Sequence, residues 1–222
     1  MIATDPTLSN FHVGTRTQPS GQGVIVGYAG ILGNRPQSFG NTVAVWDTWS
    51  PILDGPTPTQ PLCTVPVPQD EQPSTVDVPW GFGPTDYLIS YQAGGPYTTM
   101  CATRRLSLSI ALMSEPPSSV MLGVAALDAQ SVTLTYNALL GCKPKSWGHW
   151  VGVWTGFPAP YAPGAPDGWA AIESDRTQGV VTVTGLEIYP TLDYSVIYFM
   201  GPVADGVPGT ALGALLTFTA GA

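Results

Sequence analysis

Apolar and polar residues alternate along most of this chain in short runs, broken every few positions by glycine or proline. Ser131–Tyr136 (SVTLTY) sets Val, Leu and Tyr against Ser and Thr, and Val180–Thr184, Tyr194–Phe199 and Ala214–Thr219 keep the same rhythm. A period of two sends successive side chains to opposite faces, so each run predicts a half-buried β-strand, with His149–Trp154 completing the set. The same order occurs earlier, at Val24–Ala29, Asn41–Trp46, Thr75–Val78, Tyr87–Tyr91 and Leu106–Ile110. An opening strand is expected before each set, near Asn10–Thr15 and Val120–Ala126. The Pro-rich stretches 50–73 and 155–168 are expected to carry or lead into one short strand each, Leu62–Val65 and Trp169–Glu173. Glycine and proline make up 49 of the 222 residues, 26 plus 23. Helices of ordinary length are not expected, since Gly readily takes positive φ and Pro removes a backbone donor.

The pattern is also a repeat. Tyr28–Trp46 (YAGILGNRPQSFGNTVAVW) aligns without a gap on Tyr136–Trp154 (YNALLGCKPKSWGHWVGVW), with Tyr, Leu, Gly, Pro, Ser, Gly, Val, Val and Trp at matching places. Arg35 falls on Lys143 and Phe39 on Trp147. Copies of about 110 residues have the size of independent domains, whereas solenoid periods run to about 20–50. Two domains follow, residues 1–115 and 116–222, joined by the proline-stiffened Ser114-Glu-Pro-Pro-Ser118. Seven short strands per copy predict an all-β protein of two tandem seven-stranded antiparallel β-sandwiches made by internal duplication.

Gly185-Leu186-Glu-Ile188-Tyr-Pro190-Thr-Leu-Asp-Tyr194-Ser-Val196 resembles the signature of fibronectin type III and immunoglobulin-like domains near strands E and F. The resemblance implies a tyrosine corner leading into an alternating strand. The first copy departs from it: in Phe82-Gly-Pro84-Thr-Asp-Tyr87 the Tyr comes three residues after Pro instead of four. Tyr28 and Tyr136 stand on strand B, where fibronectin modules tend to carry a core Trp, and no Cys pair bridges B and F as in an antibody domain.

Composition narrows the partners. Hydrophobic residues make up 44% and charged residues 10%, so some uncharged surface is expected to lie against another domain, a second subunit or a ligand. A net charge of −8, with Arg104-Arg105 the sole adjacent basic pair, argues against nucleic acid. No run reaches the roughly 18 apolar residues of a membrane span, and the N-terminus lacks the pattern of a signal peptide. A cytoplasmic chain, a non-classical export route or a removed signal fit equally. Cys63, Cys101 and Cys142 do not form a disulfide framework; free thiols are expected, with a Cys63–Cys101 bridge as the alternative. His12 and His149 have no second ligand at metal spacing, and no cofactor is implied.

Candidate binding residues cluster in the repeated loops and in the aromatic-rich second copy. Arg35 or Lys143 would meet an acidic group, and Phe39 or Trp147 would stack on a sugar ring or an apolar side chain. The alternative is that the loop caps the sandwich, its glycines supplying turn angles. Trp147, Trp150 and Phe157, with Tyr161 and Trp169, exceed what one core needs. His149, Val151 and Val153 share one strand face, and Trp150 and Trp154 the other, so at least one large aromatic is expected on an outer face, as a contact site or under the sister domain. Trp49 and Trp80 are a possible matching cluster. The acidic pairs Asp47/Asp54, Asp70/Glu71 and Glu173/Asp175 read as solvated loop charges, and Asp86 and Asp193 as turn residues. No G-x-S-x-G elbow and no phosphate loop occurs; GQG at Gly21 leads into a strand. The expected function is non-enzymatic recognition or assembly, binding a protein or glycan through loops and an aromatic face, with self-association through uncharged sheet surfaces. The alternatives are an effector or pore-forming toxin acting on membranes after oligomerisation, and a small enzyme of unknown chemistry.

Overall fold

A computed structural model describes residues 1–17, 23–47, 60–83, 85–94, 97–107, 118–202 and 211–221. Trp49, Asp54, Gly21 and Gln22 of GQG, Pro84, the end of the 106–110 run and residues 114–117 of the expected linker lie outside the described residues. The protein is all-β, with four antiparallel sheets and, among the described residues, a single 3-10 turn (Tyr97–Thr99) as its only helical element.

The first half holds a three-stranded sheet, β2 (His12–Thr17), β3 (Val24–Ala29) and β6 (Ser74–Val78), in the order β2-β3-β6. Its five-stranded sheet runs β5 (Cys63–Pro66), β4 (Thr42–Trp46), β7 (Asp86–Gln92), β8 (Met100–Ser107), β9 (Ser118–Ser119). The second half has β10 (Met121–Leu127), β11 (Ser131–Asn137) and β14 (Gln178–Thr184) in one sheet. Its other sheet runs β1 (Ala3–Asn10), β16 (Leu212–Ala220), β15 (Asp193–Phe199), β12 (Trp150–Thr155), β13 (Gly168–Ala171).

The opening strand expected near Asn10–Thr15 is two strands with different partners. β1 pairs with β16 from Ala3↔Ala220 to Asn10↔Ala214, with a bulge between Thr4 and Thr7; β2 pairs with β3 from His12↔Ala29 to Thr17↔Val24. The break has a cause in side-chain phase. Leu8 packs on the core from an even position, whereas Phe11 and Val13 enter from odd ones, and one unbroken strand cannot turn both sets inward. Phe11 is 1% exposed and stacks on Tyr91 at 5.3 Å. The second half mirrors this: β9 pairs with β8 of the first half before β10 pairs with β11. The crossings touch, because Ser119 Oγ donates to the Phe11 carbonyl and Asn10 Nδ2 donates to the Val120 carbonyl at 3.3 Å. Each half therefore opens with a segment lying in the other half's five-stranded sheet.

Other strands fall within a few residues of expectation, apart from β8, which starts at Met100, well ahead of the expected Leu106. The apolar Met100, Cys101 and Ala102 are buried there, and β7 supplies partners from Gln92↔Met100 onward. The tyrosine corner forms twice. The Tyr189 N–H donates to the Tyr194 hydroxyl at 2.8 Å, and the Gly83 N–H donates to Tyr87 at 2.8 Å. The shorter spacing of the first copy is taken up by a donor one residue nearer. Cys63, Cys101 and Cys142 are free thiols. Burial pushes the Cys142 thiol up to about 12 and Cys101 well above its ordinary value. No helix among the described residues is long and apolar enough to cross a membrane.

Candidate functional site

The two repeated loops adopt the same conformation bond for bond. Gly33 and Gly141 sit at φ 88° and 85°, and Gly40 and Gly148 at 66° and 69°, a region that favours glycine. The Phe39 N–H donates to Arg35 O at 2.8 Å and the Trp147 N–H to Lys143 O at 2.9 Å. Each loop is clamped by a carboxylate. Asp70 accepts from the Ser38 amide (2.8 Å) and hydroxyl (2.6 Å), and Asp175 accepts from Ser146 at the same two distances. These bonds hold both carboxyls below their ordinary range, with the basic neighbours Arg35, Lys143 and Lys145 adding to the effect. Asp70 and Asp175 are solvent-facing loop charges that also tie down their loops. The signal was in the chain, since each lies shortly before the third strand of its three-stranded sheet. Arg35 meets an acidic group of its own chain, Asp70 at 3.5 Å, and Lys145 meets Glu173 at 3.6 Å.

The loop aromatics lie where the halves meet. Phe39 stacks on Tyr161 at 5.0 Å, and Trp147 packs edge-on against Tyr97 at 5.8 Å. Tyr97 had no signal in the sequence. Desolvation raises the Tyr161 phenol, whose oxygen is buried without a hydrogen-bond partner. His149 is 1% exposed, and its Nδ1 lies 2.9 Å from the Tyr198 hydroxyl. Burial lowers its pKa to about 4, opposed by the Thr98 main chain and by Asp175. Nε2 has no partner in hydrogen-bonding geometry.

The remaining candidates form a platform on the five-stranded sheet of the second half. Gly168 shares a face with Val153, and a Cβ there would lie 2.7 Å from Leu186 and 3.1 Å from Val183. The valines therefore point into the sandwich, and Trp150, Gly152, Trp154 and Trp169 take the opposite face. Trp150 and Trp154 are nevertheless 2% and 4% exposed. Trp150 stacks on Phe199 at 4.2 Å and 11°, Trp154 leans on the same ring, and Trp169 stands edge-on to Trp150 at 6.2 Å. Trp169 is 53% exposed and Phe157 68%. Of the eight candidate residues, Trp169 presents an open aromatic surface on a rigid base. Among the described residues no group of three His, Cys, Asp or Glu side chains could hold a metal ion.

No protein-family model and no curated protein matches the chain. Among solved structures it is similar to one described as "Biofilm associated protein - BSP domain", at 9% identity and a TM-score of 0.25, over 86% of this chain and 26% of that one. The chain spans about a quarter of that protein's length, and the likeness is too slight to carry any argument about activity.

Proposed function

We propose that the protein is a non-enzymatic recognition or assembly module that contacts a protein or glycan through Trp169. The observation that carries this is the half-exposed indole standing on the buried Trp150–Phe199 stack. A rigid, desolvated base lets an exposed aromatic bind without first losing side-chain freedom. Around this site we read two immunoglobulin-like or fibronectin-like sandwiches, residues 1–115 and 116–222, that arose by duplication and trade their opening segments. The matched loop bonds and paired tyrosine corners support that reading. Trp147, Phe39, Tyr161 and His149 serve the junction of the halves, and Arg35 and Lys143 belong to the loop clamps. The test is an immobilised glycan and peptide array probed with wild type and Trp169→Ala. Loss of about tenfold or more in signal is expected, as for the truncation of an interface anchor; an unchanged profile removes Trp169 from the function.

A further inference from the structure

The two halves differ in how they guard the same side of the sandwich. In the first, β5 ends on Pro66 between Pro61 and Pro68, and β6 carries Asp77 between Pro73 and Pro79. Proline and charge are the usual means of keeping an open strand edge from pairing with another chain. In the second half, β13 (Gly-Trp-Ala-Ala) and the neighbouring β14 (Gln-Gly-Val-Val-Thr-Val-Thr) carry neither charge nor proline within the strands, and Pro166 and Asp167 stand just before β13. Val180 of β14 is 67% exposed. Among the described residues β13 ends its sheet, paired with β12 alone.

Its main-chain groups point the right way. Ile172 N–H donates to His149 O at 2.9 Å, and antiparallel bonding alternates along a strand. Gly168 and Ala170 therefore face β12, while Trp169 and Ala171 turn their N–H and C=O groups to the open edge. Ala171, two residues along the same face, is exposed like Trp169.

Resting on the reading of Trp169 as a contact residue, we infer that β13 pairs antiparallel with β13 of a second copy of this chain, joining two five-stranded sheets into one of ten strands. A two-fold interface is self-complementary, and this edge meets that condition. The register that sets Trp169 opposite Trp169 of the second copy places Asp167 opposite Ala171 as an acceptor, its own N–H being held by Val153 O at 2.9 Å, and avoids the facing of Asp167 and Glu173 that a two-residue shift would impose. The chain's net charge of −8 repels a second copy elsewhere, whereas β13 itself carries no charge and the adjoining Asp167 carboxylate is engaged by the Thr155 amide and hydroxyl of its own chain. Strand addition of this kind draws affinity from main-chain bonds and specificity from the side chains beside them.

The test is sedimentation velocity of the full chain from about 1 µM to about 1 mM, the range expected of a small interface. Wild type is expected to dimerise with concentration, and the amides of Trp169 and Ala171 to gain protection from hydrogen exchange as it does. Ala171→Pro removes an outward donor without touching the ladder to β12 and is expected to weaken the dimer about tenfold or more. Trp169→Lys, which places a charge on the edge, is expected to do the same; Tyr189→Ser, exposed elsewhere on this half, is expected to leave the dimer unchanged. A monomer at every concentration overturns the inference, and so does a dimer indifferent to Ala171→Pro or equally weakened by Tyr189→Ser. Because Ala171→Pro keeps the indole, array binding that survives in it but is lost in Trp169→Ala upholds the recognition reading even where self-pairing fails. A dimer without array binding leaves the pairing standing alone.

Discussion

Asn41 and His149 occupy matching positions and perform one task with different chemistry. Asn41 Nδ2 donates to the Tyr91 hydroxyl at 2.9 Å and to Asn34 Oδ1, while its Oδ1 accepts from the Gly94 amide. Every polar atom of that amide is used. His149 reaches Tyr198 through Nδ1, while Nε2 is buried with the Thr98 main chain near it but outside hydrogen-bonding geometry, an arrangement that turns worse when the ring is charged. Its folded pKa of about 4 lies below the ordinary 6.5. Between those values the unfolded chain takes up a proton that the folded one refuses. Stability is therefore complete above about pH 6.5 and falls as the pH drops toward about 4, by about 3 kcal/mol in all. Asp70, Asp128 and Asp175, held below 3.8, lose their contributions at still lower pH. His149→Asn, which copies the first half, is expected to remove most of the loss. Urea midpoints at pH 7 and pH 4.5 measure it; a variant as acid-sensitive as wild type would place the titration elsewhere.

At the scale of a strand, β12 shows how much a single missing methyl can organise. A Cβ at Gly152 would lie 2.5 Å from Trp154 Cη2 and 3.1 Å from Trp150 Cζ3, so both indoles fold over the glycine. The first half carries Ala44 at this place, fully buried, with Trp46 matching Trp154 and Thr42 in place of Trp150. Gly152→Ala is expected to destabilise by about 1–3 kcal/mol through overpacking, read as a lowered urea midpoint, and to raise the fluorescence response of the displaced tryptophans. A neutral outcome would mean the platform repacks freely. The alternation Trp-Val-Gly-Val-Trp already stated that tryptophans and valines take opposite faces. It could not state that the outward tryptophans are buried, because that depends on Phe199 and Trp169, which other strands bring alongside.

Across the whole molecule, the exchanged segments tie the halves together. β1 covers the edge of β16, and its residues are at most partly buried, with the bulge and the positive φ of Asp5 (51°) loosening the ladder. Removing residues 1–9 is expected to lower the thermal midpoint and to expose β16 as an open edge prone to pairing with other chains. Chromatography with light scattering would then show species larger than any the full chain forms at the same concentration; a truncated chain with the full chain's mass distribution and midpoint would show that β1 is dispensable.

The sequence by itself determined the all-β class, the placement of most strands, the matched loops and the paired corner tyrosines. These follow from local rules, since period-two alternation, glycine angles and a Tyr a few residues past a turn act within a few residues of chain. Only the tertiary structure decided that the opening strand splits at Phe11, that β1 joins the far sheet, that Trp147 and His149 face the sister half, and that Trp169 alone of the platform stays open. Alternation tells a side chain which face to take, but not which sheet, half or neighbouring ring will cover that face.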